Sequence, residues 1–406
     1  MGMTMMYRDQ EVAAGSIGDV FRLVRSKSAT SRSSIARTFG LSPSTVGLRV
    51  DALQRLGLVA EDGEHESRGG RRARNLQVAA AAGFVVAVEP GVRLLKLAIA
   101  DLSGTVLHSV RLPALADQPP VEAVATIWAE VAKLFQAAGV PFDRLRGIAV
   151  GLPAPVEYPS GRVVLPSFMQ TWSDAKVPDL FAAHTDVPVL VENDANLVAI
   201  SEMSEAEDSH NDYFLAVLLG RRIGSGLVAD GKLLRGFNGA AGEFSHTPVA
   251  GPSVISCVCS LESCLESVAS GAAIAARLSE LGYSVDIPSD IIALGRSGDP
   301  RVLSILREAG AQIGTVLASS VNFFNPRRVV LGGALSQSAP LAAAIRAELF
   351  QKCLPVAAQD LDVSAVADPD TAGARGALRL LLDEVLAPAR IDELARVALE
   401  ESAQSA

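Results

Sequence analysis

Val191-Glu192-Asn193-Asp194-Ala195-Asn196 closes the apolar run Val187–Val191 with an amide and a carboxylate side by side. Outward from this strand end, further strand-like runs stand at Gly147–Gly151 before it and at Phe214–Leu219, Gly226–Ala229 and Val329–Leu331 after it. Helical stretches separate them, Val121–Ala138 on one side and the alanine-rich Ser304–Phe323 on the other. Earlier still, Phe84–Val88, Leu95–Ala100 and Val106–Arg111 read as a β-meander, the last two joined by the turn Asp101-Leu102-Ser103-Gly104. Strands alternating with long helices predict an α/β protein with mixed sheets. Such a fold hosts many functions, so the chemistry has to come from the motifs.

A chain of 406 residues points to two or three domains. With 49% hydrophobic and 20% charged residues it reads as globular rather than disordered or low-complexity. The net charge of −9 would make a uniformly acidic chain a poor nucleic-acid binder. The charge is not uniform: residues 1–80 hold 12 Lys/Arg against 8 Asp/Glu, and the other 326 hold 24 against 37. A basic binding module on an acidic body is the expected meaning of that asymmetry. The apolar stretch Val78 to Val88 has about half the length of a membrane-spanning helix. Arg8, Asp9 and Glu11 precede no apolar core of the kind a secretory signal needs, so no membrane association and a cytoplasmic location are expected. Three of four cysteines, Cys257, Cys259 and Cys264, crowd together, which suggests metal rather than a disulfide and leaves Cys353 as a buried bystander.

In the basic part, Ile17, Val20, Phe21 and Val24 recur at helical spacing over Ile17–Arg25. Ser33 can cap a second short helix through Phe39, with Gly40 as turn residue. A third helix starts with Ser42 at the N-cap and Pro43 at its first position, runs with Val46, Val50 and Leu53 on one face, and closes at Leu56-Gly57. Opposite that apolar face it would expose Ser44, Thr45 and Arg49, the pattern of a helix-turn-helix. Leu58-Val59-Ala60-Glu61 and Leu76-Gln77-Val78 can pair as a wing about a loop carrying Arg68, Arg71, Arg72 and Arg74, a cationic tip suited to phosphates or a narrow minor groove. Seven basic residues and one acidic residue, Asp51, lie from Arg22 to Arg55, more charge than a structural hairpin needs. Operator DNA is the expected partner, contacted by Ser42, Ser44, Thr45, Arg49 and the four wing arginines.

Further motifs stand in the acidic body. Asp230-Gly231-Lys232-Leu233-Leu234-Arg235-Gly236-Phe237-Asn238-Gly239-Ala240-Ala241-Gly242-Glu243-Phe244-Ser245-His246 is followed by Cys257-Val258-Cys259 and Cys264-Leu265-Glu266. Together with the strand end at Asn193-Asp194, Gly151-Leu152-Pro153-Ala154-Pro155-Val156 and Asn325-Pro326-Arg327-Arg328-Val329-Val330-Leu331-Gly332-Gly333, this resembles the ROK family, whose name joins repressors, open reading frames and sugar kinases. The resemblance covers nearly the whole chain, the winged helix being what the repressor branch adds. It implies a two-lobed α/β body of the actin/hexokinase (ribonuclease H-like) type over residues 81–406, with a sugar or sugar derivative held between the lobes. A winged helix-turn-helix domain over residues 1–80 precedes it.

His246, Cys257, Cys259 and Cys264 supply one imidazole and three thiolates, a set suited to structural, four-coordinate zinc in a loop of about 246–264. Ser260 and Ser263 stand where the family usually has glycines. Asn193, Asp194, Glu243, His246 and Glu266 match family positions that contact hexose hydroxyls, so His246 would present one ring nitrogen to the metal and the other to the sugar. Phe168, four residues before Trp172, replaces a family asparagine and removes a hydroxyl partner.

Asp194 also matches the family's catalytic base, and phosphoryl transfer would further need a phosphate cradle and Mg²⁺. The first phosphate loop is here Val88-Glu89-Pro90-Gly91-Val92-Arg93, where Pro90 removes a donor and Val92 and Arg93 are bulky. The second is Gly220-Arg221-Arg222-Ile223-Gly224 in place of a glycine-threonine-glycine turn. The expectation is therefore a sugar-responsive regulator, a repressor, that is not an enzyme and keeps Asp194 as a hydroxyl acceptor. It would act as a homodimer or homotetramer. An ATP-dependent sugar kinase with a DNA-binding domain, and a ligand-independent DNA-binding protein, are the alternatives.

Overall fold

The computed structural model describes residues 15–64, 74–91, 93–115, 117–164, 166, 169–203, 213–285 and 287–404. It opens with helices α1 (Ile17–Arg25), α2 (Arg32–Phe39) and α3 (Pro43–Arg55). Antiparallel strands β1 (Val59–Glu64) and β2 (Arg74–Val78) follow, with Val59 opposite Val78 and Glu61 opposite Leu76. Val20, Phe21, Ile35, Val46, Val50 and Leu53 are fully buried and hold the three helices together. The cap of α2 is Ser31, not Ser33: Ser31 and Ser34 exchange side-chain and backbone hydrogen bonds at 3.0–3.1 Å. That reciprocal box satisfies two orphaned amides at once, which Ser33 cannot do. The predicted third helix keeps its cap, Ser42, and its N1 proline.

Two five-stranded sheets make the body. Lobe one contains β3 (Phe84–Pro90), β4 (Leu94–Asp101), β5 (Val106–Pro113), α4 (Pro120–Ala138), β6 (Leu145–Leu152), the small hairpin β7 (Val156–Glu157) and β8 (Arg162–Val163), α5 (Val177–Phe181) and β9 (Val189–Asn193). Helix α6 (Asp194–Glu202) crosses to lobe two, which contains β10 (Phe214–Leu219), β11 (Ile223–Ala229), β12 (Lys232–Leu234), α7 (Leu265–Ala269), α8 (Gly271–Glu280), α9 (Pro288–Arg296), α10 (Pro300–Phe324), β13 (Arg328–Gly332), α11 (Ala339–Lys352), α12 (Pro355–Ala358) and β14 (Asp362–Ala365). Helices α13 (Ala372–Val385) and α14 (Pro388–Gln404) end the chain.

The sheet orders are β5-β4-β3-β6-β9 and β12-β11-β10-β13-β14, each an antiparallel meander with two parallel strands added beside its first strand. This repeated topology is the ribonuclease H-like, actin/hexokinase-type body. Each lobe has its own core, one packed under α4 and the other along α10. Between them, α6 lies on β10 and β11 while α13 lies on β3 and β6, and the two helices pack against each other. The approach is tight enough that a Cβ on Gly376 would fall 1.8 Å from the Leu197 carbonyl oxygen. Helix α14 packs on α1, and a continuous apolar cluster runs from Val20 and Phe21 to Leu381 and Ile391.

Candidate functional site

Strand β9 ends on the polar pair that opened the reading. The Asn193 side chain caps α6, its Oδ1 accepting from the amides of Ala195 (2.9 Å) and Asn196 (3.1 Å), and its Nδ2 donates to the Ala154 carbonyl at 3.1 Å. Its amide is thus engaged in holding the strand end against the neighbouring loop. Asp194, half-buried at the helix start, accepts from the Ala195 amide at 2.8 Å. Burial pushes its carboxyl up to about 7, the Ala195 N–H pulls against this, and the nearby Glu89 and Glu243 carboxyls add to the rise.

Beneath them lies a residue the sequence reading did not single out. Glu192 is 1% exposed and accepts from the Asn193 amide (3.0 Å), the Asn196 side chain (2.8 Å) and Arg235 Nε (2.6 Å). Arg235 comes from lobe two, just after β12, and its guanidinium lies 4.0 Å from the centre of the Tyr158 ring of lobe one. The same arginine's carbonyl accepts from the Ala241 amide at 3.1 Å and so anchors the loop that leads to Glu243. One ion pair therefore ties both halves of the cleft.

On the lobe-two side, burial raises the Glu243 carboxyl to about 6, with Glu266 adding to it. His246 ends a short 3-10 turn, with Nε2 3.6 Å from Glu243 Oε2 and Nδ1 3.3 Å from Cys257 Sγ. The two ring nitrogens face opposite ways, toward the cleft and toward the cysteines. The ligand atoms of His246, Cys257, Cys259 and Cys264 all lie within 4.8 Å of one another, and Cys259 Sγ is 3.6 Å from Cys264 Sγ. Tetrahedral zinc with ordinary bond lengths sets S···S at about 3.8 Å and S···N at about 3.6 Å. The donor set therefore fits a closed, four-coordinate metal, and the Leu265 amide, donating to the Thr247 carbonyl at 3.0 Å, clamps the base of the loop.

Glu266 sits differently from the hydroxyl contact expected of it. It is 2% exposed, with Oε2 accepting from the Ile223 amide at 2.8 Å and Oε1 from Arg222 Nη1 at 3.1 Å. Both partners belong to the second phosphate loop. That loop is closed into the β10–β11 turn, the Gly220 amide donating to the Arg222 carbonyl at 3.0 Å. In the first loop the Gly91 amide donates to the carbonyls of Glu89 and Leu94. The amides of Gly91, Gly220 and Ile223 are thus used within the chain. Phe168 lies outside the described residues, while Trp172 is buried.

At the start of α3, Ser42 and Ser44 are exposed and Thr45 is half-buried. Arg49 turns back instead of outward: its Nη1 is buried beside Gly15 without a hydrogen-bond partner among the described residues. Leu48, one turn after Ser44 on α3, is 71% exposed. The i, i+4 spacing from Ser44 was the available signal for it. Arg74 opens β2, and Arg68, Arg71 and Arg72 lie outside the described residues.

Fold and site together define a protein of the actin/hexokinase type, with three short helices and a two-stranded hairpin in front of its two-lobed body. The chain belongs to the ROK family, whose model matches residues 85–384. It is 26% identical over 330 residues to the xylose repressor of Caldicellulosiruptor bescii, covering 78% of this chain and 82% of that one. A crystal structure of a ROK family transcriptional regulator, a homologue of the Escherichia coli Mlc protein, superposes with a TM-score of 0.76 at 25% identity, covering 93% of this chain and 98% of the other. A ROK glucokinase from Streptomyces griseus, solved with glucose and AMPPNP, matches at a TM-score of 0.62 and 27% identity, covering 73% of this chain and 99% of the kinase. The regulator likeness thus takes in the front of the chain as well as the body.

Proposed function

We propose that this protein is a sugar-responsive transcriptional repressor that binds operator DNA through residues 1–80 and senses a sugar or sugar derivative in the cleft of residues 81–406. The observation that carries the reading is the second phosphate loop. Arg222 and the Ile223 amide grip buried Glu266, where a kinase would turn donors toward a phosphate. Asp194, Glu243 and the Nε2 of His246 remain to meet sugar hydroxyls, with Asn193 and Glu266 shaping the wall. A sensor needs only different affinities for its ligand in two conformations, not turnover.

On this reading His246, Cys257, Cys259 and Cys264 hold a structural zinc ion, which fixes the His246 tautomer and so links metal loading to sugar affinity. Two copies would read paired half-sites, one helical turn apart or a multiple of it. Among the described residues no helix is long and apolar enough to cross a membrane, and a regulator of this kind acts in the cytoplasm, with the DNA.

A thermal-shift screen of sugars and sugar phosphates, repeated with Glu243→Ala, tests the sensor. A hit that vanishes in the variant and changes operator affinity supports it. ADP release that depends on a sugar and is abolished by Asp194→Asn would make the protein a kinase instead, and no response to any sugar would leave a ligand-independent DNA-binding protein.

A further inference from the structure

A leucine standing alone on a surface needs no explanation. Leu48 does not stand alone, because the residue before it is a glycine in the middle of a helix. Gly47 has ordinary helical backbone, and a Cβ built on it would meet nothing within 4 Å. No close packing among the described residues therefore accounts for it, although glycine is a poor helix former and alanine would fit. The adjoining positions form one stripe along α3: Ser44, Gly47, Leu48 and Asp51, spaced i, i+3, i+4 and i+7. Val46, Val50 and Leu53, each 0% exposed, occupy the opposite side and fix which face looks out.

Around the stripe, charge is arranged for an anionic partner. Arg32 lies between Asp51, at 3.2 Å, and Glu61, so it partly offsets the acid on the face while sharing its charge with a second carboxylate. Arg37 in α2 and Arg55, one turn after Asp51 on α3, are exposed. A bare patch of helix backbone beside a projecting aliphatic side chain suits a partner that comes very close at one point and offers an apolar group at the next. The major groove edge of a thymine offers such a group, the C5 methyl.

We infer that Gly47 and Leu48 form the base-reading element of this protein, Leu48 packing on a thymine methyl in the major groove while Gly47 lets the helix settle against the groove. The inference rests on the DNA-binding reading above. It assigns sequence discrimination to Leu48 in place of Arg49, whose guanidinium is turned inward.

The experiment uses the full-length protein and a duplex enriched by it from a random library. Each thymine of the enriched site is replaced in turn by deoxyuridine, which removes only the methyl, and affinity is measured by fluorescence anisotropy at one salt concentration. At one or two thymines per half-site the wild type should lose on the order of three- to tenfold in affinity. Leu48→Ala should bind the thymine duplex correspondingly more weakly and be indifferent to the deoxyuridine exchange. Gly47→Ala should raise the melting temperature yet weaken binding at least about tenfold, a combination that lost folding cannot produce. Thymine sensitivity that survives in Leu48→Ala, or wild-type affinity in Gly47→Ala, overturns the inference. So does a change of oligomeric state in Leu48→Ala with unchanged thymine sensitivity, which would assign the leucine to a contact between copies. Failure to enrich any duplex is a different outcome, because it removes the DNA-binding reading itself.

Discussion

Asp194 sits where its own ionisation is disfavoured. Burial, with Glu89 and Glu243 nearby, lifts its carboxyl from 3.8 to about 7. A raised carboxyl binds its proton more tightly in the folded chain than in the unfolded one, so stability falls as pH rises from about 4 to about 7, and the penalty is complete above that. Asp194→Asn should therefore stabilise the protein at pH 8, by about 1–2 kcal/mol after allowing for the side chain's partial exposure. The gain should fade toward pH 4. Urea unfolding at pH 8 and pH 4.5 measures it, and an equal gain at both would show that the charge is not the cause. At pH 8, where Asp194 is ionised, the same variant should lose at least about tenfold in sugar affinity, since an amide offers a weaker acceptor to a hydroxyl than a carboxylate does. A residue that costs stability and serves ligand binding is a common signature of a functional site.

At the scale of elements, the loop from His246 to Cys264 and the Arg235 strut position the two walls of the cleft. On the proposed reading, removing metal with a chelator lowers the melting temperature by several degrees and weakens sugar binding in parallel, because one imidazole would serve both. An unchanged melting curve together with no zinc by elemental analysis would show that the four ligands hold no metal. Arg235→Ala should destabilise by about 3–5 kcal/mol, since it strands the Glu192 carboxylate in a site that is 1% exposed. Arg235→Ala combined with Glu192→Gln should recover much of that loss, which chemical denaturation can measure. These elements were unequally legible in the sequence. Apolar strands with strong flanks, such as Phe84–Val88 and Phe214–Leu219, could be read directly, as could the cap and proline of α3. Strands β12 and β14 could not, because their residues are exposed or half-buried and carry no apolar run. The grouping of His246, Cys257, Cys259 and Cys264 was legible from spacing and residue type. Arg222, Arg235 and Glu192 were not, because each owes its place to a partner more than 40 residues away along the chain, which no local pattern records.

Across the whole molecule, the body and the three N-terminal helices are joined by packed helices with little slack. Asp194 begins α6, α6 lies against α13, and Gly376 of α13 meets the Leu197 backbone at a distance that admits no side chain. At the far end Arg25 of α1 pairs with Asp383 of α13 at 2.7 Å, and the Gly18 amide donates to Asp392 of α14 at 2.8 Å. On the proposed reading, a shift of α6 on ligand binding has a route to α1–α3 that crosses two backbone-to-backbone contacts. The second of these can be tested without touching the cleft. A Cβ on Gly18 would lie 2.1 Å from the Pro388 carbonyl oxygen, so Gly18→Ala must lift α1 away from α14. The variant should keep its metal and its sugar-induced rise in melting temperature, because the cleft is unchanged. Its operator affinity should no longer answer to sugar. Coupling energies between sites typically run to about 1–3 kcal/mol, so the wild type should show roughly a five- to 150-fold change in affinity with effector, and Gly18→Ala should show less than about twofold. Operator titrations with and without the sugar identified by thermal shift measure both. A Gly18→Ala protein that keeps the full response would show that the signal reaches the DNA by another path, through the arrangement of two copies rather than through α14.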